Sequence, residues 1–118
     1  LNPRKQEKLS GAVQRYISDI LGREVSDPRL CGATVNRVLL SGDGSGARVF
    51  YSMVGSLEEQ QSCREAMESA APFIRRRLAS MLETRTVPVL QFIFDSSIRQ
   101  GEEVLSVIRK MERDAVPD

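Results

Sequence analysis

The chain has 118 residues, 41% hydrophobic and 28% charged, with a formal net charge of +1. That is an ordinary globular balance for one domain with one modest core. No apolar run approaches the roughly 20 residues of a membrane helix. The absence of histidine leaves a zinc site short of ordinary ligands. The opening LNPRKQEKL lacks the apolar stretch of a secretory signal, so none is expected.

Asn2 and Pro3 read as a helix start, a capping side chain followed by proline at the first helical position. Leu9, Ala12, Val13, Tyr16, Ile17, Ile20 and Leu21 then recur at helical spacing with one buried stripe. The opposite face carries Lys5, Lys8, Arg15 and Arg23. Gly22 and the SDPRLCG segment close the helix, because Pro28 disfavours helical backbone before it.

Two strands follow, ATVNRVLLS and ARVFYSMV, joined by GDGSG. Both are rich in β-branched and aromatic residues, and the glycines of the linker suit a hairpin loop. This loop is no phosphate cradle of the P-loop type, since no Lys-Ser or Lys-Thr pair follows and it leads into a strand. Cys31 and Cys63 match no metal spacing and read as two unpaired thiols.

Ser56 with Glu59 forms a capping box that opens a helix near Leu57. Ala66, Met67 and Ala70 point inward. Pro72 then interrupts a pattern that resumes at Phe73, Ile74, Leu78, Met81 and Leu82, which predicts two helices meeting at a kink or short break near Ala70, Ala71 and Pro72. Arg75, Arg76 and Arg77 would occupy the first turns of the second helix, where orphan N–H groups already favour anions. Their only acidic neighbour before Arg85 is Glu83. The three arginines span about 200° of helix, so one of them is free to point elsewhere.

Pro88 precedes VLQFIFD, a strand with Leu90, Phe92 and Phe94 on one side and Val89 and Ile93 on the other, the pattern of a strand covered wholly or partly on both faces. Ser97 with Gln100 opens a last helix with Val104, Leu105, Ile108 and Met111 inward, and residues 1–5 and 112–118 are expected to fray. The order is helix, strand, strand, helix, kink, helix, strand, helix. This is an α+β chain of one domain over 1–118, with a three-stranded mixed sheet covered by helices. The third strand arrives through a helical crossover and is expected to run parallel to one of the hairpin strands.

Several segments together resemble the ribosome-binding factor A family from about Lys8 to Met111. They are Arg23-Glu24-Val25-Ser26-Asp27-Pro28-Arg29-Leu30, Ser41-Gly42-Asp43, Ala47-Arg48-Val49-Phe50, Phe73-Ile74-Arg75, Arg85-Thr86-Val87-Pro88-Val89-Leu90-Gln91-Phe92, Asp95-Ser96-Ser97 and Gly101. The resemblance implies a KH-like domain of type II, with an Ala-x-Gly kink in place of the usual GXXG loop. Ala70, Ala71 and Pro72 stand at that motif, with proline where the family has glycine. It further implies a cytoplasmic assembly factor, or an organellar one once a transit peptide is removed, linked to cold adaptation. Such a factor binds the free 30S subunit and its 16S rRNA and supports late 5′-end processing without cutting RNA.

The candidate rRNA contacts are Arg75, Arg76, Arg77 and Arg85, then Lys5, Lys8, Arg15 and Arg23. Arg29 either contacts RNA or holds its loop by pairing with Asp27. Phe50, Tyr51, Phe92 and Phe94 are read as packing residues before stacking ones. No metal or other cofactor is expected, and no nucleophile has a visible activator, so the chain is not expected to be an enzyme. A monomer is expected, with ribosomal protein contacts left open. A protein-interaction domain would instead expose an apolar patch, and a general KH-type binder would take isolated single strands.

Overall fold

The computed structural model describes residues 2–84 and 86–95. The first helix, α1, runs Pro3–Arg23 and begins where the Asn2 side chain accepts from the Lys5 N–H at 2.8 Å. Residues 3–5, expected at a frayed end, therefore lie inside a capped helix. Val13, Ile17 and Ile20 are its buried face. A 3-10 turn, Pro28–Leu30, follows, capped by Asp27, which accepts from the Arg29 N–H at 3.0 Å.

β1 (Thr34–Leu40) and β2 (Gly46–Ser52) pair antiparallel, with a register shift between Val35 and Arg37. The Asp43 carboxylate holds the hairpin. It accepts from the Ser45 N–H at 3.0 Å, the Ser45 hydroxyl at 2.7 Å and the Ser41 hydroxyl at 2.8 Å. Gly44 takes a positive φ of 76°, which its lack of a Cβ permits.

α2 (Leu57–Met81) opens on a complete capping box: Ser56 and Glu59 each accept the other's backbone N–H at 3.1 Å. β3 (Val89–Phe94) then pairs parallel to β2, giving a mixed sheet of order β1-β2-β3. Both helices lie on one face of the sheet. Val13, Ile17 and Ile20 of α1 meet Val38, Val49 and Tyr51 of the sheet and Met67, Ile74 and Leu78 of α2 in one core.

Two expectations need correction. The expected pair of helices is a single helix of 25 residues that runs through Pro72. Proline removes only one ladder donor, and Pro72 is exposed while Met67 before it and Ile74 and Leu78 after it are wholly buried. Packing on both sides holds the helical path that local propensity disfavours. β3, read as covered on both faces, is an edge strand whose Val89 is 67% exposed. Arg85 and the last predicted helix lie outside the described residues.

Gln6 and Gln14 fix α1 along the other edge. The Gln6 amide donates to the carbonyls of Leu40 and Ser41 at 3.1 and 3.2 Å. Gln14 reaches those of Val35 and Asn36 at 3.5 and 3.4 Å. The outward carbonyls of β1 thus have side-chain partners, one way to blunt a sheet edge.

Candidate nucleic-acid interface

Two helices carry the candidate cations. Lys5, Lys8, Arg15 and Arg23 are exposed on α1, on the side turned away from Val13, Ile17 and Ile20. They extend along about 27 Å of helix at 1.5 Å per residue. Arg4, also exposed, joins this stripe, and the exposed Asp19 interrupts it. Arg4 was legible in the sequence, four positions before Lys8 on the same face, but was passed over as part of the helix start.

On α2 the charge is graded along the axis. Glu58 and Glu59 stand in the first turn, Glu65 and Glu68 follow, and Arg75, Arg76 and Arg77 sit one turn before the end. Acids at the start and bases near the end complement the helix dipole. This corrects the expected electrostatics. In a continuous helix the N–H groups around Arg75 are engaged in the ladder and offer no anion site, so attraction there comes from the guanidiniums alone.

The three arginines divide. Arg75 and Arg76 are exposed and make no ion pair among the described residues. Arg77 turns toward α1, donating from Nε to Glu24 Oε1 at 2.7 Å and from Nη1 to the Ser80 hydroxyl at 2.8 Å. Arg29 is likewise engaged. Its Nε and Nη2 bond the two oxygens of Asp27, the shortest contact at 2.8 Å. That hydrogen bond holds the Asp27 carboxyl below its ordinary range and raises Arg29. Of the two roles weighed for Arg29, the structure places it in the loop.

Ala70 and Ala71 are half-buried and Pro72 is exposed in the middle of α2. Ala71 helps line a groove of about 380 Å³ between α2 and β3, together with Arg64, Phe92 and Phe94. Arg64 lies over the Phe94 ring, 5.5 Å from its centre. Glu65 and Glu68 on the same groove disfavour a phosphate there. Tyr51 packs edge-on to Phe92 and Phe94, with ring centres 6.5 and 5.4 Å away, so these rings serve the core. Phe50 faces the other side of the sheet, under the guanidinium of Arg37. Arg37 and Arg64 were missed as notable cations, because each owes its place to a ring distant in sequence.

Among the described residues no group of three His, Cys, Asp or Glu is placed to hold a metal ion, and no helix is long and apolar enough to cross a membrane. The arrangement is a set of solvated cations on two packed helices, a surface for a polyanion.

The family model described as Ribosome-binding factor A matches residues 5–108. The Ribosome-binding factor A of Thermomicrobium roseum is 40% identical over 114 residues, 97% of this chain and 88% of that protein. That of Natranaerobius thermophilus is 41% identical over 107 residues, 91% of this chain and 82% of that one. The crystal structure of ribosome-binding factor A from Thermus thermophilus matches with a TM-score of 0.66 at 27% identity, covering 75% of this chain and 93% of that chain. A homology model of the Thermus thermophilus factor, fitted into a cryo-EM map of a 30S complex, matches with a TM-score of 0.61 at 27% identity, covering 75% of this chain and 93% of that chain. The shared architecture is the KH-like α+β fold expected from the sequence.

Proposed function

Because the chain belongs to the Ribosome-binding factor A family, we propose that it binds the free 30S ribosomal subunit through 16S rRNA and supports late maturation and 5′-end processing of that RNA. It acts as a cytoplasmic monomer and cuts nothing. Binding energy favours one conformation of the immature subunit over others, a population shift rather than a reaction. The observation that carries the site is the pair Arg75 and Arg76, exposed and without an ion pair among the described residues, on a helix packed against the basic α1. Uncommitted guanidiniums lose no internal partner when they meet phosphate. Lys5, Lys8, Arg15 and Arg23 extend the contact. Arg29 and Arg77, already paired, contribute less. Arg85 is assigned by its place in the family pattern.

Co-sedimentation with purified 30S subunits tests this, comparing the wild type with the Arg75→Ala, Arg76→Ala, Arg77→Ala triple variant after circular dichroism shows both folded. The expected result is salt-sensitive binding that the variant weakens, because fewer counterions are released. Undiminished binding by the folded variant moves the RNA contact away from α2. No wild-type binding to mature or immature subunits sinks the ribosomal reading and leaves a protein-interaction domain in its place.

A further inference from the structure

The helices cover one face of the sheet, and the other is open among the described residues. Cross-strand register lays Arg37 beside Phe50 and Ile93, and Leu39 beside Arg48 and Gln91, so these six side chains form two rows across three strands. The guanidinium of Arg37 sits over the Phe50 ring, 4.3 Å from its centre. Arg37 and Arg48 are both exposed, and neither has a carboxylate partner among the described residues. Neither row contains an acid. Like charges on neighbouring strands repel, so this face improves when an anion arrives. Leu39 and Val89 add aliphatic surface, 46% and 67% exposed.

We propose that this open face is a second nucleic-acid surface, on the opposite side of the domain core from the helices, and that it takes a single-stranded RNA segment. A guanidinium stacked on a ring presents its outer plane to a base, as single-strand binders use arginine and aromatic side chains. Arg48 meets a phosphate, Gln91 in the same row offers an amide to a base edge, and Leu39 and Val89 give sequence-tolerant apolar contact. A protein partner fits less well. Arg48 on the middle strand divides Leu39 from Val89, so no continuous apolar patch forms for a protein anchor. The choice of RNA as the polyanion rests on the ribosomal reading above. The domain would then contact RNA on two sides and hold two segments apart at a fixed spacing.

The test uses the full chain and a labelled single-stranded RNA oligonucleotide of mixed sequence, with affinity read by fluorescence anisotropy across a salt series. The Arg37→Ala, Arg48→Ala variant is expected to bind about tenfold more weakly, with a salt slope flatter by about 1.4 for two lost phosphate contacts. The lysine pair, Arg37→Lys with Arg48→Lys, is expected to recover the slope but only part of the affinity, since lysine does not stack. Arg48→Ala alone, at an exposed position, carries the test if the double variant does not fold, with a slope change of about 0.7. A photo-crosslinking residue in place of Val89 is expected to join to RNA when irradiated on 30S subunits. Unchanged affinity and slope in the folded variants, or crosslinks to ribosomal protein alone, overturn the proposal. If the wild type still co-sediments with 30S in that case, the ribosomal reading survives without this face. If the wild type fails to co-sediment yet the arginine variants lose the oligonucleotide, the face stands and the ribosomal reading falls.

Discussion

Arg77 of α2 donates to Glu24, the residue that caps α1, at 2.7 Å across 53 positions of sequence. Both side chains are partly solvated, at 40% and 31% exposure, so the pair is worth no more than about 1 kcal/mol. It also takes one cation of the arginine triplet out of play. Arg77→Ala is therefore expected to lower stability by less than about 1 kcal/mol in urea unfolding. It should also weaken 30S binding less than Arg75→Ala with Arg76→Ala. Glu24→Ala, which frees Arg77 and deletes a negative charge, is expected to hold or raise 30S affinity. A variant of Arg77 that loses binding as completely as the Arg75 and Arg76 pair would place Arg77 at the RNA instead.

Pro72 sits exposed inside a continuous helix. Proline in a helix interior costs about 3 kcal/mol relative to alanine, part of which is offset by its stiffening of the unfolded chain. Pro72→Ala is expected to stabilise the domain by about 2 kcal/mol and Pro72→Gly by about 1 kcal/mol, because glycine keeps the donor but adds unfolded-state freedom. Equilibrium unfolding of the three chains measures this order. A destabilised alanine variant would mean that the helix needs a local bend only proline supplies.

The same residue marks where sequence reading stops. The Asn2 start, the Ser56–Glu59 box and the hairpin are set by neighbours within a few positions, and the structure places them as expected. The parallel entry of β3 was legible because a helical crossover leaves few other routes. The helix through Pro72 was not, since Met67, Ile74 and Leu78 hold it through contacts with distant elements. The exposure of Val89 depends on strand order, which side-chain alternation does not encode. Arg37 over Phe50 depends on a register shift near Asn36 that no local pattern announces. Among the candidate cations, charge and helical face were legible. The pairing that removes Arg77 and Arg29 from the free set is tertiary for one and a choice between two stated roles for the other.

The Asp43 carboxyl is held at about 2, down from 3.8, by the Ser45 N–H first and then by the Ser45 and Ser41 hydroxyls. A carboxyl whose folded pKa is depressed stabilises the fold above its unfolded value and loses that contribution as pH falls through the folded one. The hairpin should thus weaken between about pH 4 and pH 2. Asp43→Asn keeps an acceptor but no charge, and is expected to lower the melting temperature at pH 7 while flattening its fall across that acid window. Melts of the two chains from pH 2 to 7 check this. An equally steep acid limb in the variant would assign the loss to Asp27 and Glu59, whose carboxyls are also lowered by hydrogen bonds from Arg29 and Ser56.

Tyr51 separates packing from polarity in the core. It is 3% exposed and edge-on to Phe92 and Phe94, and burial first of all pushes its hydroxyl up from 10.0 to about 12. A raised folded pKa gives stability that is full below the unfolded value and lost as pH climbs through the folded one, here between about pH 10 and pH 12. Tyr51→Phe keeps the ring and removes the titration. It is expected to change stability at pH 7 by less than about 0.5 kcal/mol and to make the alkaline limb shallower than in the wild type. Tyr51→Ala leaves a cavity against both phenyl rings and is expected to cost about 3–5 kcal/mol. If the phenylalanine variant lost stability on that larger scale, the hydroxyl and not the ring would be what β2 contributes to the core at this position.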